Sequence, residues 1–526
     1  MNYVTPEIEW IALAPIILVL GAGALGVLVE AAVRSPRIRR IAQIVLTLGA
    51  LLSAGVVGVS QWLAFDGAGT AVQRLMLTVD RQSLVWQIMI VVFALLATAM
   101  FADRTKSGES AFTPLGAATP GSIQETLARR KGFELTEVFP LMLFAAGGMM
   151  LFTAVTDFVF LFVALEVLSL PLYIMVAVAR RRRLLSHEAA LKYFLLGAFS
   201  SAFYLFGAAL IYGATAQSSF GTVAQAIQVI GGRDPLVLTG AVLILVGLFF
   251  KLGAAPFHAW VPDVYQGAPT PVVSFMAAAT KAAAAAALLR IIYSAFAGLE
   301  WELNILFWVV AITSMILGTV AALVQTDIKR MFAYSGIAHA GFLLVAFAGF
   351  SADALSAIPF YVFTYGIATI GGFAVLTQVR ERNAESVVGG EAARLGQWTG
   401  LGKRSPFLAG AMTLFLLSLA GIPLTAGFIG KFTVFGVAVS TGAWPLALIG
   451  VIASAAAAFF YVRLIVLMYF TDVPDVVEDA VVPEVTPLGR TVIISTGAIV
   501  VVLGVLPGWA LGLADQAGEL LVKLTP

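Results

Sequence analysis

The chain has 526 residues, 60% of them hydrophobic and only 11% charged, where an ordinary soluble domain is about a quarter charged. A dissolved sphere is therefore excluded, most of the surface must face lipid, and a net charge of +2 offers no footprint for nucleic acid. With no cysteine and only His187, His258 and His339, cysteine-held Fe–S clusters, thiolate or covalently attached haem, disulfides and paired haem-ligating histidines are excluded too, so the chain carries no electrons itself.

The opening MNYVTPEIEW has no basic region ahead of its apolar run and no small-residue cleavage site, so the first span reads as a retained helix. A bilayer core of roughly 30 Å needs ~20 helical residues. That ruler predicts spans near 9–30, 41–63, 82–102, 137–155, 158–179, 188–213 and 236–255. Seven more fall near 271–295, 302–324, 330–350, 355–379, 405–438, 444–470 and 489–514. The stretch 405–438 contains Pro406 and Pro423 and counts as one broken span. The fold class is thus all-α integral membrane, with about fourteen transmembrane helices. Gly21, Gly23 and Gly26 spell GxGxxG inside the first span, but the dinucleotide fingerprint needs a preceding strand. Close helix packing explains these glycines better.

Basic residues set the orientation. Arg34, Arg37, Arg39 and Arg40 lie in the first connection, and Arg104, Lys106, Arg129, Arg130 and Lys131 in the third. Arg180 to Arg183 lie in the fifth, Lys329 and Arg330 in the ninth, and Arg380, Arg382, Arg394, Lys403 and Arg404 in the eleventh. All these connections are odd-numbered; Arg74 and Arg233 are the main exceptions. Odd connections are therefore expected in the cytoplasm, with both termini outside a cell inner (plasma) membrane. The thirteenth carries Asp472, Asp475, Glu478, Asp479 and Glu484, and acidic residues weigh little in this rule.

Five ionisable residues fall inside apolar spans: Glu166, Lys192, Lys251, Lys281 and Lys431. Each costs about 2.5–3.5 kcal/mol at the bilayer centre if unpaired, or on the order of 12–17 kcal/mol together. Such a sum demands partners, water or a role. The structural alternatives are plain: Glu166 and a lysine can simply glue helices, and Lys192 can snorkel or bond to Glu188 at i,i+4. For His258 and His339 a satisfied core position and a relay are equally open. Lysine nevertheless suits proton transfer, because burial lowers its proton affinity and a nearby carboxylate restores it. Arginine stays charged, and it is arginine that fills the loops.

Two spans are interrupted by proline. The seventh reads FFKLGAAPFHAWVPDVYQGAPTPV and the twelfth SLAGIPLTAGFIGKF. Freed carbonyls at membrane depth must line protein or water. The spacing of the breaks divides the chain into four. An N-terminal segment of three helices covers residues 1–133, and two inverted five-helix repeats cover 134–296 and 297–471. A C-terminal segment, residues 472–526, holds the acidic loop and helix fourteen. Broken helices 7 and 12 in inverted repeats mark ion-translocating folds.

The segments EVLSLPLYIMVA, HEAALKYFLLGAFSSAFYLFGAALIYG, FKLGAAPFHAWVPDVYQGAPTPV, DIKRMFAYSGIAHAGF and AGIPLTAGFIGKFTVF resemble the antiporter-like subunits of proton-pumping NADH:quinone oxidoreductase, respiratory complex I, from roughly Glu134 to Phe470. The subunit N branch is most similar: the chain is too short for the lateral helix of the L type, and Lys431 stands where the M type carries glutamate. The resemblance implies that Glu166 pairs with Lys192 and Lys251, that Lys251 is the central switching lysine, and that Lys281 and His339 lead on to Lys431. It places His258 near the cytoplasmic entry. It also implies no cofactor in this chain, with NADH, FMN, Fe–S clusters and quinone elsewhere in the complex. The implied partners are other membrane-arm subunits (K and M as neighbours), the lipid bilayer and protons. Two rival readings are a subunit of a multi-component Na⁺/H⁺ antiporter, which shares the fold, and a structural membrane-arm scaffold; a hydrogenase-complex subunit is a weaker third.

Overall fold

The computed structural model describes residues 9–65, 70–72, 76–106, 108–115, 118, 122–130, 133–231, 233–382, 388–471 and 480–518. Arg74, Lys131, Asp472, Asp475, Glu478 and Asp479, and the side chains of Arg129, Arg130 and Arg382, lie outside the described residues.

Helices dominate. In chain order they are α1 (Trp10–Ala32), α2 (Pro36–Leu63), α3 (Arg81–Ala102), α4 (Ile123–Arg130), α5 (Val138–Ala154), α6 (Phe158–Val176) and α7 (Arg183–Thr215). Next come α8 (Phe220–Ile230), α9 (Pro235–Leu252), α10 (Trp260–Gly267), α11 (Thr270–Phe275), α12 (Lys281–Arg290), α13 (Glu300–Leu323) and α14 (Ile328–Val345). The last are α15 (Ala354–Thr377), α16 (Leu401–Arg404), α17 (Pro406–Ala420), α18 (Ala426–Ser440), α19 (Trp444–Tyr469), α20 (Pro487–Val505) and α21 (Gly508–Ala517). Among the described residues, twelve rods are long and apolar enough to cross a bilayer. The expected count of fourteen also took in α5, 17 residues long, and the α17–α18 pair, whose halves are 15 residues each.

Short strands join the helices at their ends: β1 (Thr70–Val72) pairs with β2 (Leu77–Val79), while β3 (Val379–Arg382) lies between β4 (Val388–Glu391) and β5 (Ala480–Pro483). The centre of the bundle is α11–α12, a single rod from Thr270 to Ala295 buried at every residue but Tyr293. Its hydrogen bonding loosens into π-helical turns at Met276–Thr280 and Ile291–Ala295. Glycines let the helices close on one another, since a Cβ on Gly148 would meet the backbone of Leu168 and one on Gly318 that of Ala338. Two of the GxGxxG glycines, Gly23 and Gly26, follow the same rule, while a Cβ on Gly21 would meet open space. They sit inside α1, where Gly23 meets Phe144, and Gly26 meets Pro140 and accepts a bond from Gln43 at 2.8 Å.

Side-chain contacts sort the connections onto two faces. Arg39 of the first connection pairs with Glu30 at 3.0 Å and bonds Thr136 of the third, and Arg40 reaches Glu134 at 3.5 Å. Arg180 and Arg181 of the fifth hold Glu109 of the third at 2.5 and 3.2 Å, and Glu484 of the thirteenth accepts from the Lys106 amide. On the opposite face, Ser218 donates to Asp157 at 2.6 Å, Arg233 pairs with Glu302 at 3.7 Å, and Tyr293 donates to the Ser351 carbonyl at 2.7 Å. Odd connections thus share one face, here the basic face, and even connections the other.

Candidate functional site

Both proline-marked spans are broken, for the same local reason. Helix α9 ends at Gly253 (φ 76°) and α17 at Gly421 (φ 82°), each in the left-handed conformation that glycine adopts without a steric cost. The chain re-enters helix at Trp260 and Ala426. Carbonyls freed at the first break are taken up by the Trp260 indole, which donates to the Phe250 oxygen at 2.9 Å, and by Lys281 Nζ, which donates to the Leu252 oxygen at 2.7 Å. At the second break Lys431 Nζ donates to the Leu419 and Ala420 oxygens, both at 2.9 Å, and to Ser454 Oγ at 2.7 Å. Each first half-helix therefore points its negative dipole end at a lysine ammonium. Lys281 serves α9 as Lys431 serves α17.

From these two clasps a row of buried polar groups can be followed. Lys251, on the last turn of α9, donates to Ser169 Oγ on α6 at 2.7 Å and lies 5.8 and 5.6 Å from the ring centres of Tyr173 and Tyr193. Lys281 also donates to the Gly336 carbonyl on α14 at 3.0 Å, one turn before His339. The His339 ring bonds Tyr361 through Nδ1 at 2.7 Å and Tyr461 through Nε2 at 3.3 Å, and Tyr461 meets Ser335 at 2.5 Å. The Leu419 carbonyl that holds Lys431 also lies within reach of the His339 ring. Lys251, Lys281, Lys431 and His339 are 3–5% exposed. None of the three lysines has a carboxylate within ion-pair distance among the described residues: Lys251 is held by a hydroxyl and two aromatic faces, Lys281 by two carbonyls, and Lys431 by two carbonyls, a hydroxyl and the Phe342 ring.

The remaining expected residues sit otherwise. Glu166 makes no ion pair among the described residues, and its Oε1 is buried without a hydrogen bond. Lys192 does not pair with Glu166. It binds Glu188 and Asp263, each at 2.7 Å, and Asp263 also takes Arg330 at 2.7 Å. The cause is depth. Helices α6 and α7 run side by side with Tyr173 against Tyr193 and Tyr204 bonded to the Phe158 carbonyl, which puts Lys192 level with Tyr173 and Glu166 seven residues, or ~10 Å, further in. His258 is half-buried beyond the break, its Nδ1 without a partner, and is not brought to the row.

Sequence reasoning missed Asp263, the serines and tyrosines that space the lysines, and one buried charge pair. Arg290 Nη1 and Nη2 donate to both carboxylate oxygens of Asp80 at 3.0 and 2.7 Å, and Nε to the Thr153 carbonyl at 3.0 Å. Arg290 lies inside the span predicted at 271–295, so its charge was the signal that could have found it.

Broken helices with lysine-clasped ends, strung along one buried polar row, define an antiporter-like membrane subunit. A family profile described as "NADH:quinone oxidoreductase/Mrp antiporter, TM" matches residues 155–456. The chain is 51% identical to NADH-quinone oxidoreductase subunit N of Beutenbergia cavernae over 86% of its own length and 87% of that protein's. Among solved structures, a chain of respiratory complex I from Thermus thermophilus with bound aureothin matches at TM-score 0.76 and 32% identity, covering 95% of this chain and 99% of that one. A chain of the Mrp complex from Dietzia superposes at TM-score 0.80 with 20% identity, over 98% of both chains, and shows the shared fold alone. The chain belongs to the NADH-quinone oxidoreductase subunit N family.

Proposed function

We propose that this chain translocates protons in the membrane arm of an NADH:quinone oxidoreductase, with Lys251, Lys281, His339 and Lys431 as the relay. The observation that carries the reading is the contrast between two kinds of cation. Arg290, Lys192, Lys329 and Arg330 are ion-paired. The three row lysines are buried against neutral acceptors only. An ammonium neutralised by a carboxylate is fixed, whereas one held by dipoles in a low-dielectric interior is ready to give up its proton.

Redox chemistry in other subunits, where NADH, FMN, Fe–S clusters and quinone reside, supplies the drive. It acts on the charge balance between Glu166 and Lys251. Lys251 then passes its proton toward Lys281, His339 and Lys431, with Lys192 at the entrance and His258 near it. Moving one charge against 100 mV costs about 2.3 kcal/mol, comparable to the change in a lysine's proton affinity when a nearby charge shifts. In this reading 134–296 and 297–471 are the two inverted repeats and the basic face is cytoplasmic. Both termini lie outside a bacterial plasma membrane, and subunits of the K and M type are the neighbours.

The test compares Lys251→Arg with Lys251→Ala in inverted membrane vesicles, reading NADH-driven acidification with a fluorescent dye. Both variants are expected to lose this subunit's share of proton uptake. Normal pumping by the Arg variant, which keeps the charge but cannot release a proton, would sink the relay. Na⁺-dependent exchange without NADH would favour the Mrp-type reading instead, a reading supported by fold alone.

A further inference from the structure

The row begins at Lys251, and among the described residues its side-chain contacts toward the basic face are the rings of Tyr173 and Tyr193. We propose that the hydroxyls of Tyr173 and Tyr193 are the proton-passing segment between the Lys192–Asp263 ion network and Lys251. The inference rests on the relay reading above and adds its intake.

Three layers are stacked along α6, α7 and α10. The outermost holds Glu188, Lys192, Asp263 and Arg330, joined at 2.7 Å each. One residue deeper on α7 and one turn deeper on α10 come Tyr193 and Trp260, stacked with centroids 4.7 Å apart, and Tyr173 meets Tyr193 edge-on at 4.7 Å. Below them lies Lys251, within 6 Å of both tyrosine rings and bonded to Ser169. This middle layer closes the path from the basic face to Lys251 with three aromatic side chains, all buried: Tyr193 is 0% exposed, Trp260 3% and Tyr173 6%.

The polar groups in the layer are what make it more than a plug. The Trp260 N–H is spent on the Phe250 carbonyl. Both tyrosine hydroxyls, by contrast, are buried without a well-formed hydrogen bond, that of Tyr173 lying beside Ser169. A buried hydroxyl left unmade costs about 1–3 kcal/mol, and phenylalanine would give the same packing without that cost. Two such groups, on rings whose centres lie 4.7 Å apart between an ion network and a titratable amine, are candidates to take water as a bridge. The position of one of them is also enforced: the Tyr173 hydroxyl rests against the backbone of Gly197, where any Cβ would displace it. The step balances without a change in the tyrosines. A proton arriving by water from the Lys192–Asp263 layer forms a new O–H bond at one hydroxyl as that hydroxyl's own proton leaves. The last transfer forms an N–H bond on the neutral Lys251 amine. No phenolate is formed and no electron moves.

The experiment uses the whole complex in inverted vesicles and three chains: Tyr173→Phe/Tyr193→Phe, Gly197→Ala and Lys251→Ala. Proton uptake is normalised to the amount of assembled complex and measured in H₂O and D₂O. The double Phe variant keeps the rings and is expected to fall to the level of Lys251→Ala. Gly197→Ala is expected to show a partial loss with a larger slowing in D₂O than the unaltered chain. Should the double variant not assemble, Tyr193→Phe alone, with the same partial loss and isotope effect, takes its place. Uptake unchanged in the Phe variants while Lys251→Ala loses it would overturn the tyrosine segment and leave the relay standing. Full uptake with Lys251→Ala would overturn the relay reading and this intake together.

Discussion

Replacing Arg290 by alanine removes a fully buried and fully engaged charge. Its guanidinium makes two hydrogen bonds to Asp80 and one to Thr153, and the paired side chains are 2% and 1% exposed. Truncation strands the Asp80 carboxylate at the start of α3, where it also accepts from the Ser83 amide at 2.8 Å. Breaking a buried pair from one side costs about 3–5 kcal/mol, a large part of the roughly 5–15 kcal/mol that holds a typical domain. Arg290→Lys keeps the charge but cannot span both oxygens and the Thr153 carbonyl, so it loses at least one charged hydrogen bond, about 1.5–3 kcal/mol. The double change Asp80→Leu/Arg290→Met is expected to recover most of the loss, because no charge remains to be desolvated. The assays are the steady-state amount of assembled complex and its inactivation half-life on heating, read as a double-mutant cycle. Proton uptake per assembled complex should be normal in all of them. An Arg290→Ala complex of unchanged heat stability would refute the clamp, and one that is stable but does not pump would move Arg290 into the relay.

Gly427→Ala should act on the second break. A Cβ there would collide with the Ser418 carbonyl and sit 3.0 Å from Ser418 Oγ, so α17 and α18 must part, at about 1–3 kcal/mol or more; poor assembly is expected, and a normally assembled complex would contradict the packing. Glu391, on the basic face, is pushed up by burial but held below its ordinary value of 4.5 by Lys329, Arg380 and the Thr270 hydroxyl. Its carboxylate therefore adds stability above that value, and the addition disappears as pH falls through the lower folded value. Glu391→Gln should inactivate faster on heating at pH 7, with the gap shrinking as pH falls below the ordinary value of 4.5; a gap that did not shrink as the carboxylate was protonated would count against the assignment.

Much of this architecture is readable in the residues because the bilayer leaves few alternatives. Backbone groups must be satisfied internally, so apolar runs become helices, and the prolines at 256 and 423 fall in the two interruptions found. Lysines in alanine-rich or aromatic runs, such as Lys281 and Lys251, announce themselves by cost. What the residues do not announce is relative depth. That Lys192 and Glu166 miss each other by about two turns depends on how α6 slides along α7, which no composition records. Hydroxyls carry no penalty large enough to stand out, so Ser169, Ser454 and the tyrosines escape notice, as does Asp263, which falls between two predicted spans. The π-helical turns flanking Lys281 are equally silent, since alanine suits any helix.

The paired clasps carry a consequence for motion. The oxygens of Leu252, Leu419 and Ala420 each accept from a lysine Nζ, and such bonds are stronger while the nitrogen is charged. Once the proton departs, the cap weakens at the very joint where the rod is already severed, and the two halves are freer to tilt. In the proposed relay, proton occupancy and bend angle become coupled at two elbows, so that emptying one lysine is expected to be felt mechanically by its neighbour along the bundle.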